Sequence, residues 1–388
     1  MFKLRVQGTL QLGALLLLLI LPLAARTPPA AAQVPESASP AIAGVVVAAD
    51  DPSALPSEMM PRANRSLLLD LAKSSAGYFA VGERGHVLKS RDGASWTQLE
   101  LPTRSALTSI AAVDDHLWVA GHDGVIIHSA DAGKTWKAQR RDPYRLVAGE
   151  QSADHDPRQG APILDIFFAD ASNGIAIGAH SLMLVTHDGG TTWTAKQAIA
   201  TSVAPGPAAA PMQGDVFSQA DLQLDEEADP HLNALASAGA GTMVIVGERG
   251  TFLRSTDAGE SWTKLAFPYK GSMFGVLSLG EGHLLAYGLR GNVYESADLG
   301  STWRKVQAQG SVSLMGGSAL PNGGAILTGA NGTVISRASA TAPFVAATYK
   351  NANGETPALS GVVPAGAGNY VLVGDKGVGL YHAVTGSK

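Results

Sequence analysis

Short apolar segments alternate with turn-forming Gly, Asp, Ser and Pro residues along most of the chain. One stretch shows the pattern well, with apolar or alternating runs at residues 108–113, 117–120, 125–128 and 136–138. Such runs, bounded by turn residues, are typical of β-strands, and no stretch shows a convincing helical period. The pattern predicts an all-β protein built from four-stranded antiparallel units.

A recurring glycine marker gives the number of these units. In each copy an apolar run ends in Gly, and after two further residues a second Gly follows in all copies but the third. The first glycines of the copies are Gly82, Gly121, Gly178, Gly247, Gly288, Gly329 and Gly374. Gly247, Gly288 and Gly329 are 41 residues apart, a spacing that suits one propeller blade. We therefore predict a seven-bladed β-propeller over residues 44–388, with insertions at 139–162 and 195–230.

The two ends of the repeat array are incomplete. The seventh unit stops after its third strand, at residues 378–381, and an unassigned strand at residues 44–49 precedes the first unit. An open sheet edge is prone to pairing with other chains. We therefore expect residues 45–47 to supply the outer strand of the last blade and to close the ring.

Five units carry a turn of the pattern Ser/Thr-x-Asp-x-Gly-x-Ser/Thr-Trp, called the Asp box below; the first copy is one residue shorter. The aspartates and tryptophans of the copies are Asp92 and Trp96, Asp131 and Trp136, Asp188 and Trp193, Asp257 and Trp262, and Asp298 and Trp303. An aspartate in such a turn accepts backbone hydrogen bonds, the Gly adopts a positive φ, and the Trp covers apolar surface. We expect these residues to be structural and not catalytic.

The N-terminus resembles an export signal. Lys3 and Arg5 precede an apolar stretch at residues 15–25, and a run of three alanines ends at Ala32. This order of a basic segment, an apolar segment and small residues is typical of a secretory signal peptide. A retained membrane anchor is the alternative. We expect cleavage of residues 1–32, a flexible leader at 33–43, and a periplasmic protein, or a lumenal one if the host is photosynthetic.

Composition limits the classes of partner and cofactor that this chain is expected to bind. The chain has no Cys, which excludes disulfides and thiol catalysis. Loss of Lys3, Arg5 and Arg26 with the signal peptide changes the formal net charge from −5 to −8, which argues against nucleic acid as a partner. The histidines lack the spacing of a metal site, and no phosphate-binding or dinucleotide motif is present. We expect neither a cofactor nor a metal.

One face of the predicted ring carries a set of basic residues. In a four-stranded meander, the turns between the second and third strands share a face with the connections between blades, and the Asp boxes lie on the opposite face. The third residues of the seven marker turns are Arg84, Asp123, His180, Arg249, Arg290, Asn331 and Lys376. We interpret Arg84, His180, Arg249, Arg290 and Lys376 as a surface that binds carboxylates or an acidic peptide. Ordinary exposed turn cations are the alternative.

The two insertions lie on the same predicted face. The first contains further arginines that would extend the basic surface, namely Arg140, Arg141, Arg145 and Arg158. The second, residues 195–230, is acidic and is interpreted as a solvated loop; shielding of the basic surface or binding of a basic partner is the alternative.

Catalysis is not expected. Glycosidases generally need two suitably spaced carboxylates, or a Tyr nucleophile with supporting groups. The polar residues predicted to line the central channel, Asp70, Asp165 and Asn233, do not form an evident acid/base pair. The alternative function is that of a sialidase-type glycosidase or a carbohydrate-binding propeller, because Asp boxes also occur there.

The pairing of V-G-x-R-G turns with Asp boxes resembles the photosystem II stability/assembly factor family, most clearly at residues 81–96, 246–262 and 287–303. The resemblance implies an exported seven-bladed propeller that assists the assembly of membrane-embedded subunits, with a role in photosynthesis. It also implies an arginine patch, which by turn position would comprise Arg84, Arg249 and Arg290. We therefore expect a non-catalytic, monomeric scaffold that binds a membrane protein or its exported segment through a basic face.

Overall fold

A computed structural model describes residues 50–144, 156–198, 229–308 and 310–383. All of these belong to one compact unit, Val47–Lys388. They form seven antiparallel sheets, six with four strands and one with three. The predicted seven-bladed β-propeller is confirmed. The strand predicted at residues 45–47 to complete the last blade lies outside the described residues.

The first four blades contain sixteen strands, each blade running from the central channel outward. They are β1 (Leu68–Ser74), β2 (Gly77–Gly82), β3 (Val87–Ser90) and β4 (Thr97–Leu99); β5 (Leu107–Val113), β6 (His116–Gly121), β7 (Ile126–Ser129) and β8 (Lys137–Arg140); β9 (Ile163–Phe168), β10 (Gly174–Gly178), β11 (Met183–Thr186) and β12 (Thr194–Ala195); β13 (Leu232–Gly239), β14 (Thr242–Gly247), β15 (Phe252–Ser255) and β16 (Thr263–Lys264).

The last three blades follow the same order. Their strands are β17 (Met273–Gly280), β18 (His283–Gly288), β19 (Val293–Ser296) and β20 (Arg304–Lys305); β21 (Leu314–Leu320), β22 (Gly324–Gly329), β23 (Thr333–Arg337) and β24 (Val345–Thr348); β25 (Leu359–Gly366), β26 (Asn369–Gly374) and β27 (Gly377–His382).

The helices of the described residues are short 3₁₀ turns. They span Ala63–Arg65, Glu83–Gly85, His122–Gly124, Ala179–Ser181, Leu289–Gly291, Pro321–Gly323 and Ala330–Gly332. Within this part of the chain, no helix is long and apolar enough to cross a bilayer.

The hydrophobic core lies between neighbouring blades. The cluster between the last and first blades includes Tyr78 and Leu88 of blade 1 together with Val371 and Val373 of blade 7. At the inner rim, the Ser360 hydroxyl donates a 2.8 Å hydrogen bond to the Leu68 carbonyl. These contacts close the ring between its first and last blades.

The marker glycines recur because of a close backbone approach. A Cβ atom on any of the seven first glycines would lie closer than 3.0 Å to a carbonyl oxygen just before the first strand of the same blade. The residue after each glycine donates its N–H to that carbonyl, as Glu83 does to Leu67 at 3.1 Å and His122 to Ala106 at 2.9 Å. A side chain at these positions would break the contact.

The turns separate into two faces, as predicted. The Asp boxes contact the turns between the first and second strands of their blades. In blade 2, for example, Ala132 N of the box donates a 2.8 Å hydrogen bond to the Asp115 carbonyl. We call this the box face. The marker turns and the connections between blades form the opposite, connection face. There Ser181 N donates to the Pro230 carbonyl at 2.9 Å, which brings the end of the second insertion against the marker turn of blade 3.

The segment before β1 crosses blades 1 and 2 on the connection face. Residues 50–66, called the N-terminal strap below, are hydrogen-bonded to the blades. Ser57 N donates to the Leu101 carbonyl at 2.9 Å, and Arg104 N donates to the Pro52 carbonyl at 2.7 Å. The side chains of Ser53, Ser57 and Ala63 are buried. The sequence pattern did not predict this docking.

Candidate functional site

The Asp boxes are held by a repeated set of hydrogen bonds. At Asp257, one carboxylate oxygen accepts from the Ser255 hydroxyl at 2.7 Å and from Ser261 N at 2.9 Å. The other oxygen accepts from the Ser261 hydroxyl at 2.5 Å. These bonds, led by the Ser261 hydroxyl, lower the pKa of Asp257 to about 2. Hydrogen bonds of the turn also lower the pKa values of the other box aspartates. Hydroxyl groups lead at Asp131 and Asp298, and backbone N–H groups lead at Asp92 and Asp188.

Each box also packs against the preceding blade. A Cβ atom on a box glycine would clash with a side chain of that blade. The glycines and their neighbours are Gly93 with Val371, Gly133 with Phe79, Gly190 with Gln139, Gly259 with Ile175, and Gly300 with Phe252. The box tryptophans are partly buried in the same region; Trp303, for example, packs edge-on against Phe252 with ring centroids 5.1 Å apart. The boxes therefore join blades to one another.

Replacement of Asp257 by Ala should lower the urea midpoint of unfolding, because three hydrogen bonds of the turn lose their acceptor. Urea denaturation measures the effect. Glu100→Ala is the control, since Glu100 is exposed. Equal stability of the two variants would show that the box carboxylate is not needed for the fold.

The central channel encloses a polar cavity of about 290 Å³, lined by first-strand residues of all seven blades. Asp70, Asp165 and Asn233 line it, as expected from the sequence. Asp70 accepts from Ile110 N of blade 2 at 2.9 Å, and Asp165 accepts from Leu235 N of blade 4 at 2.8 Å. The carboxylates thus link neighbouring blades across the inner rim.

Ser109 connects the two carboxylates. Its hydroxyl donates to Asp165 at 2.9 Å, and it also contributes to the electrostatic environment of Asp70. Burial, together with the negative charge of Asp70, raises the pKa of Asp165 to about 7. Burial likewise raises the pKa of Asp70. The channel therefore holds two coupled carboxyl groups that the sequence alone did not bring together.

The destabilisation caused by Asp165→Asn should depend on pH. The folded-state pKa of about 7 lies above the usual aspartate value of 3.8, so the folded protein keeps a proton that the unfolded chain releases. This contribution to stability is present below pH 4 and is lost as the pH rises to 7. The loss of unfolding free energy caused by Asp165→Asn should therefore be larger at pH 5 than at pH 8, by roughly 2–3 kcal/mol.

Denaturant melts of both proteins at the two pH values measure this difference. His128, whose pKa burial lowers to about 4, titrates in both proteins and cancels in the comparison. Asp70 is coupled to Asp165, so the difference reports the pair of carboxyl groups. A cost of substitution that does not change with pH would contradict the raised pKa of Asp165.

The connection face presents the third residues of the marker turns in an unusual backbone conformation. Six of them have φ between 53° and 57°: Arg84, Asp123, His180, Arg249, Arg290 and Asn331. The seventh turn, with Lys376, is a tighter connection between the paired residues Gly374 and Gly377. Asn, Asp and His are enriched at positive φ, whereas Arg is not. Backbone conformation therefore does not account for the three arginines.

The basic residues differ in their surroundings. Arg84 lies 3.2 Å from Glu58 of the N-terminal strap, with about half of its side chain exposed. Arg249 is half-buried. Arg290 and Lys376 are exposed, and no salt bridge is found for either within the described part of the chain. The ring of His180 packs edge-on against that of His231, with centroids 5.2 Å apart.

Arginines of the first insertion hold the structure together. Arg141 donates to the Ser53 carbonyl at 2.7 Å and so fixes the N-terminal strap. Arg140 pairs with Asp142 at 2.7 Å, and Arg158 pairs with Asp229 at 2.6 Å. Arg145 lies outside the described residues. Arg140, Arg141 and Arg158 thus have structural partners, which the sequence pattern did not indicate.

Comparison with known proteins supports a β-propeller family. A family model described as the DUF6242 beta propeller domain matches residues 70–214, less than half of the chain. None of the curated proteins matches the sequence.

Solved propellers are similar in fold. A structure of YCF48 bound to D1 peptide has a TM-score of 0.57 and 16% identity, covering 82% of this chain and 94% of that chain. YCF48 from Cyanidioschyzon merolae has a TM-score of 0.58 and 16% identity, covering 84% and 97%. The WD40 propeller domain of Doa1 has a TM-score of 0.58 and 12% identity, covering 84% and 95%. At these identities the likeness shows the fold alone.

Proposed function

We propose that this protein is an exported, non-catalytic scaffold or assembly factor that binds an acidic segment of a membrane protein through the connection face. The observation that carries the proposal is the recurrence of Arg84, Arg249 and Arg290 at one left-handed turn position. Asn, Asp or Gly would be favoured there by conformation. Three arginines on one face of a chain with a net charge of −5 favour recognition of carboxylates.

Arg290 is the central residue of the proposed surface, because it is exposed and its guanidinium can bind a carboxylate with two parallel hydrogen bonds. Arg249 extends the surface to the neighbouring blade. The partial neutralisation of Arg84 by Glu58 lowers its expected contribution. His180 and Lys376 extend the proposed surface to blades 3 and 7.

Two comparisons support binding to a membrane protein. The sequence resembles the photosystem II stability/assembly factor family in its turns and boxes. A solved propeller of the same fold, YCF48, is bound to D1 peptide. A scaffold of this kind would act where the exported segments of membrane proteins are found, in agreement with the predicted signal peptide.

A glycosidase is the second candidate, favoured by the coupled carboxyl groups of Asp70 and Asp165 in the channel. However, the oxygens of both side chains accept backbone N–H groups, from Leu71 and Ile110 for Asp70 and from Ile166 and Leu235 for Asp165. A general base or nucleophile needs an accessible oxygen. We therefore assign these carboxyl groups to blade contacts.

The test is affinity capture. Immobilised residues 33–388 are incubated with detergent-solubilised membranes of the source organism, and retained proteins are eluted with a salt gradient and identified by mass spectrometry. We expect one membrane protein with an acidic exported segment, released by salt because the contact is electrostatic. Hydrolysis of aryl glycosides that Asp165→Asn abolishes, without retention of any membrane protein, would favour the glycosidase.

A further inference from the structure

The last blade has three strands within the described residues, whereas each of the other six blades has four. In those six blades the fourth strand pairs with the third, but in this part of the chain β27 pairs only with β26. An unpaired strand edge is a template for the addition of another strand. The outer side of β27, called the open edge below, is therefore a candidate docking site for an extended segment.

The peptide groups of Val378 and Leu380 point towards the open edge. The strand register aligns Val378 with Val293, the first residue of the third strand in blade 5. The Val293 carbonyl accepts a 2.9 Å hydrogen bond from Val306 N, next to the fourth strand of that blade. Successive peptide groups of an antiparallel strand point to alternate sides. The N–H and C=O groups of Val378 and Leu380 therefore face outward, where an added strand would pair.

Leu380 is uncovered at a position that a fourth strand covers in the other blades. Its equivalents all pair with the first residue of a fourth strand; they are Lys89, His128, Val185, Arg254, Glu295 and Ser336. These six residues are buried or half-buried, whereas Leu380 is 52% exposed. Because exposed apolar side chains on open strand edges promote pairing with another chain, Leu380 favours a site that a partner covers.

A cavity of about 510 Å³ runs along the open edge. Its walls come from the first Asp box, from Asn64 and Arg65, and from the connection that leads into blade 7. A Cβ atom on Gly93 of that box would lie 3.7 Å from the Leu380 side chain, so Leu380 points towards blade 1. Directly opposed residues of antiparallel strands place their side chains on one face. An apolar side chain opposite Leu380 would therefore enter the cavity beside the first Asp box, whose Trp96 also lines it.

The connection-face end of the cavity is basic. Three exposed cations line it, namely Arg65, Lys350 and Lys376. Two carboxylates lie in the same turns: Glu355 accepts from Asn351 at 2.7 Å, and Asp375 accepts from Ala358 N at 3.0 Å. Three cations against two carboxylates leave a net positive charge. An added strand antiparallel to β27 runs from the box face to the connection face, so its C-terminal end would meet these cations.

We propose that the acidic segment of the membrane-protein partner binds along the open edge as the fourth strand of blade 7. An apolar residue of the segment lies opposite Leu380, and carboxylates that follow it lie near Arg65, Lys350 and Lys376. Backbone hydrogen bonds provide the affinity of such a contact, and the side chains provide its specificity. The inference rests on the proposed function, because it names the binding mode of the same acidic segment.

Isothermal titration of residues 33–388 with the peptide acetyl-Thr-Val-Thr-Val-Asp-Asp-amide tests the proposal. We expect saturable binding with a Kd of about 1 mM or tighter. The control is a peptide of reversed sequence, which places its carboxylates at the box-face end and should bind at least about fivefold more weakly. Absence of saturable binding, or equal binding of the two peptides, would overturn the proposal.

Substitutions of Leu380 test the position of the peptide. Leu380→Pro removes an outward N–H group and leaves the hydrogen bonds to β26 in place, so it should weaken binding at least about tenfold. Ala346→Pro is the matched control, because Ala346 is exposed on β24, the outer strand of blade 6. Leu380→Asp keeps the backbone intact and should weaken binding at least about fivefold, since it places a like charge beside the peptide. Unchanged affinity in Leu380→Asp, or in a folded Leu380→Pro protein, would overturn the proposal.

Two further measurements separate this inference from its alternatives. Residues 45–47 are the competing occupant, so peptide binding that appears only after Val46→Pro would assign the open edge to the chain's own strand and overturn the proposal. Equal binding with and without this substitution would support the partner segment. Capture of the membrane protein by Leu380→Pro as strongly as by the unmodified protein would overturn the inference and leave the proposed function standing. Failure of both proteins to retain any membrane protein would contradict the proposed function, whatever the peptide binds.

Discussion

Replacement of Trp118 by Ala should lower the free energy of unfolding by about 3–5 kcal/mol, the usual cost of removing a buried aromatic side chain. Trp118 lies on β6 and is fully buried. It stacks on Phe168 of blade 3 with ring centroids 3.6 Å apart. Its indole N–H donates to the Gly189 carbonyl of the third Asp box at 3.1 Å. The variant would therefore leave a cavity between blades 2 and 3 and remove one hydrogen bond between them.

Denaturant unfolding monitored by circular dichroism measures this loss. Trp136→Ala is the matched control, because Trp136 is only partly buried and should cost less than half as much. A Trp118→Ala protein as stable as the Trp136→Ala protein would show that this contact does not hold the two blades together.

Simultaneous reversal of Arg84, Arg249 and Arg290 to Glu should reduce association with the membrane-protein partner at least about tenfold. The melting temperature should stay nearly the same for Arg290→Glu alone, because Arg290 is exposed and exposed charges contribute little to stability; for the triple variant it is measured alongside binding, because Arg249 is half-buried and Arg84 pairs with Glu58. Association should also become less sensitive to salt, since its electrostatic part is lost. Quantitative mass spectrometry of the captured partner provides the measurement. Among single variants, Arg290→Glu should have a larger effect than Arg84→Glu, because Glu58 already neutralises part of the charge of Arg84.

The control for this experiment reverses three exposed cations of the opposite face, Lys73, Arg91 and Lys134. Both triple variants change the net charge equally, so a difference between them reports the position of the charges. If the box-face variant lost the partner and the arginine variant retained it, the basic residues of the connection face would have no part in binding.

The repeat architecture was predictable because its signals are local. The first marker glycines are required by a backbone contact within the same blade, so they recur at a spacing that reveals the blade count. The Asp boxes are equally local, since Asp257 bonds only to neighbours along the chain. Strands of blade 2 were predicted at 108–113 and 117–120 and are found at Leu107–Val113 and His116–Gly121.

Contacts between distant segments were not predictable in the same way. Nothing near Arg84 in sequence indicates that Glu58 of the N-terminal strap lies beside it. Trp118 belongs to no repeated motif, and its stacking partner Phe168 is fifty residues further along the chain. The open edge of β27 becomes visible only when the strand register aligns Leu380 with the residues of other blades that pair with a fourth strand.

Site-specific photo-crosslinking tests the central claim most directly. Lys270 is exposed next to the marker turn of Arg249, and Lys134 is exposed in an Asp box on the opposite face. Each is replaced by a benzoylphenylalanine residue, and the protein is irradiated with membranes of the source organism. We predict an adduct with a membrane protein from position 270 and none from position 134. An adduct from position 134 alone would contradict the assignment of the connection face as the partner-binding surface.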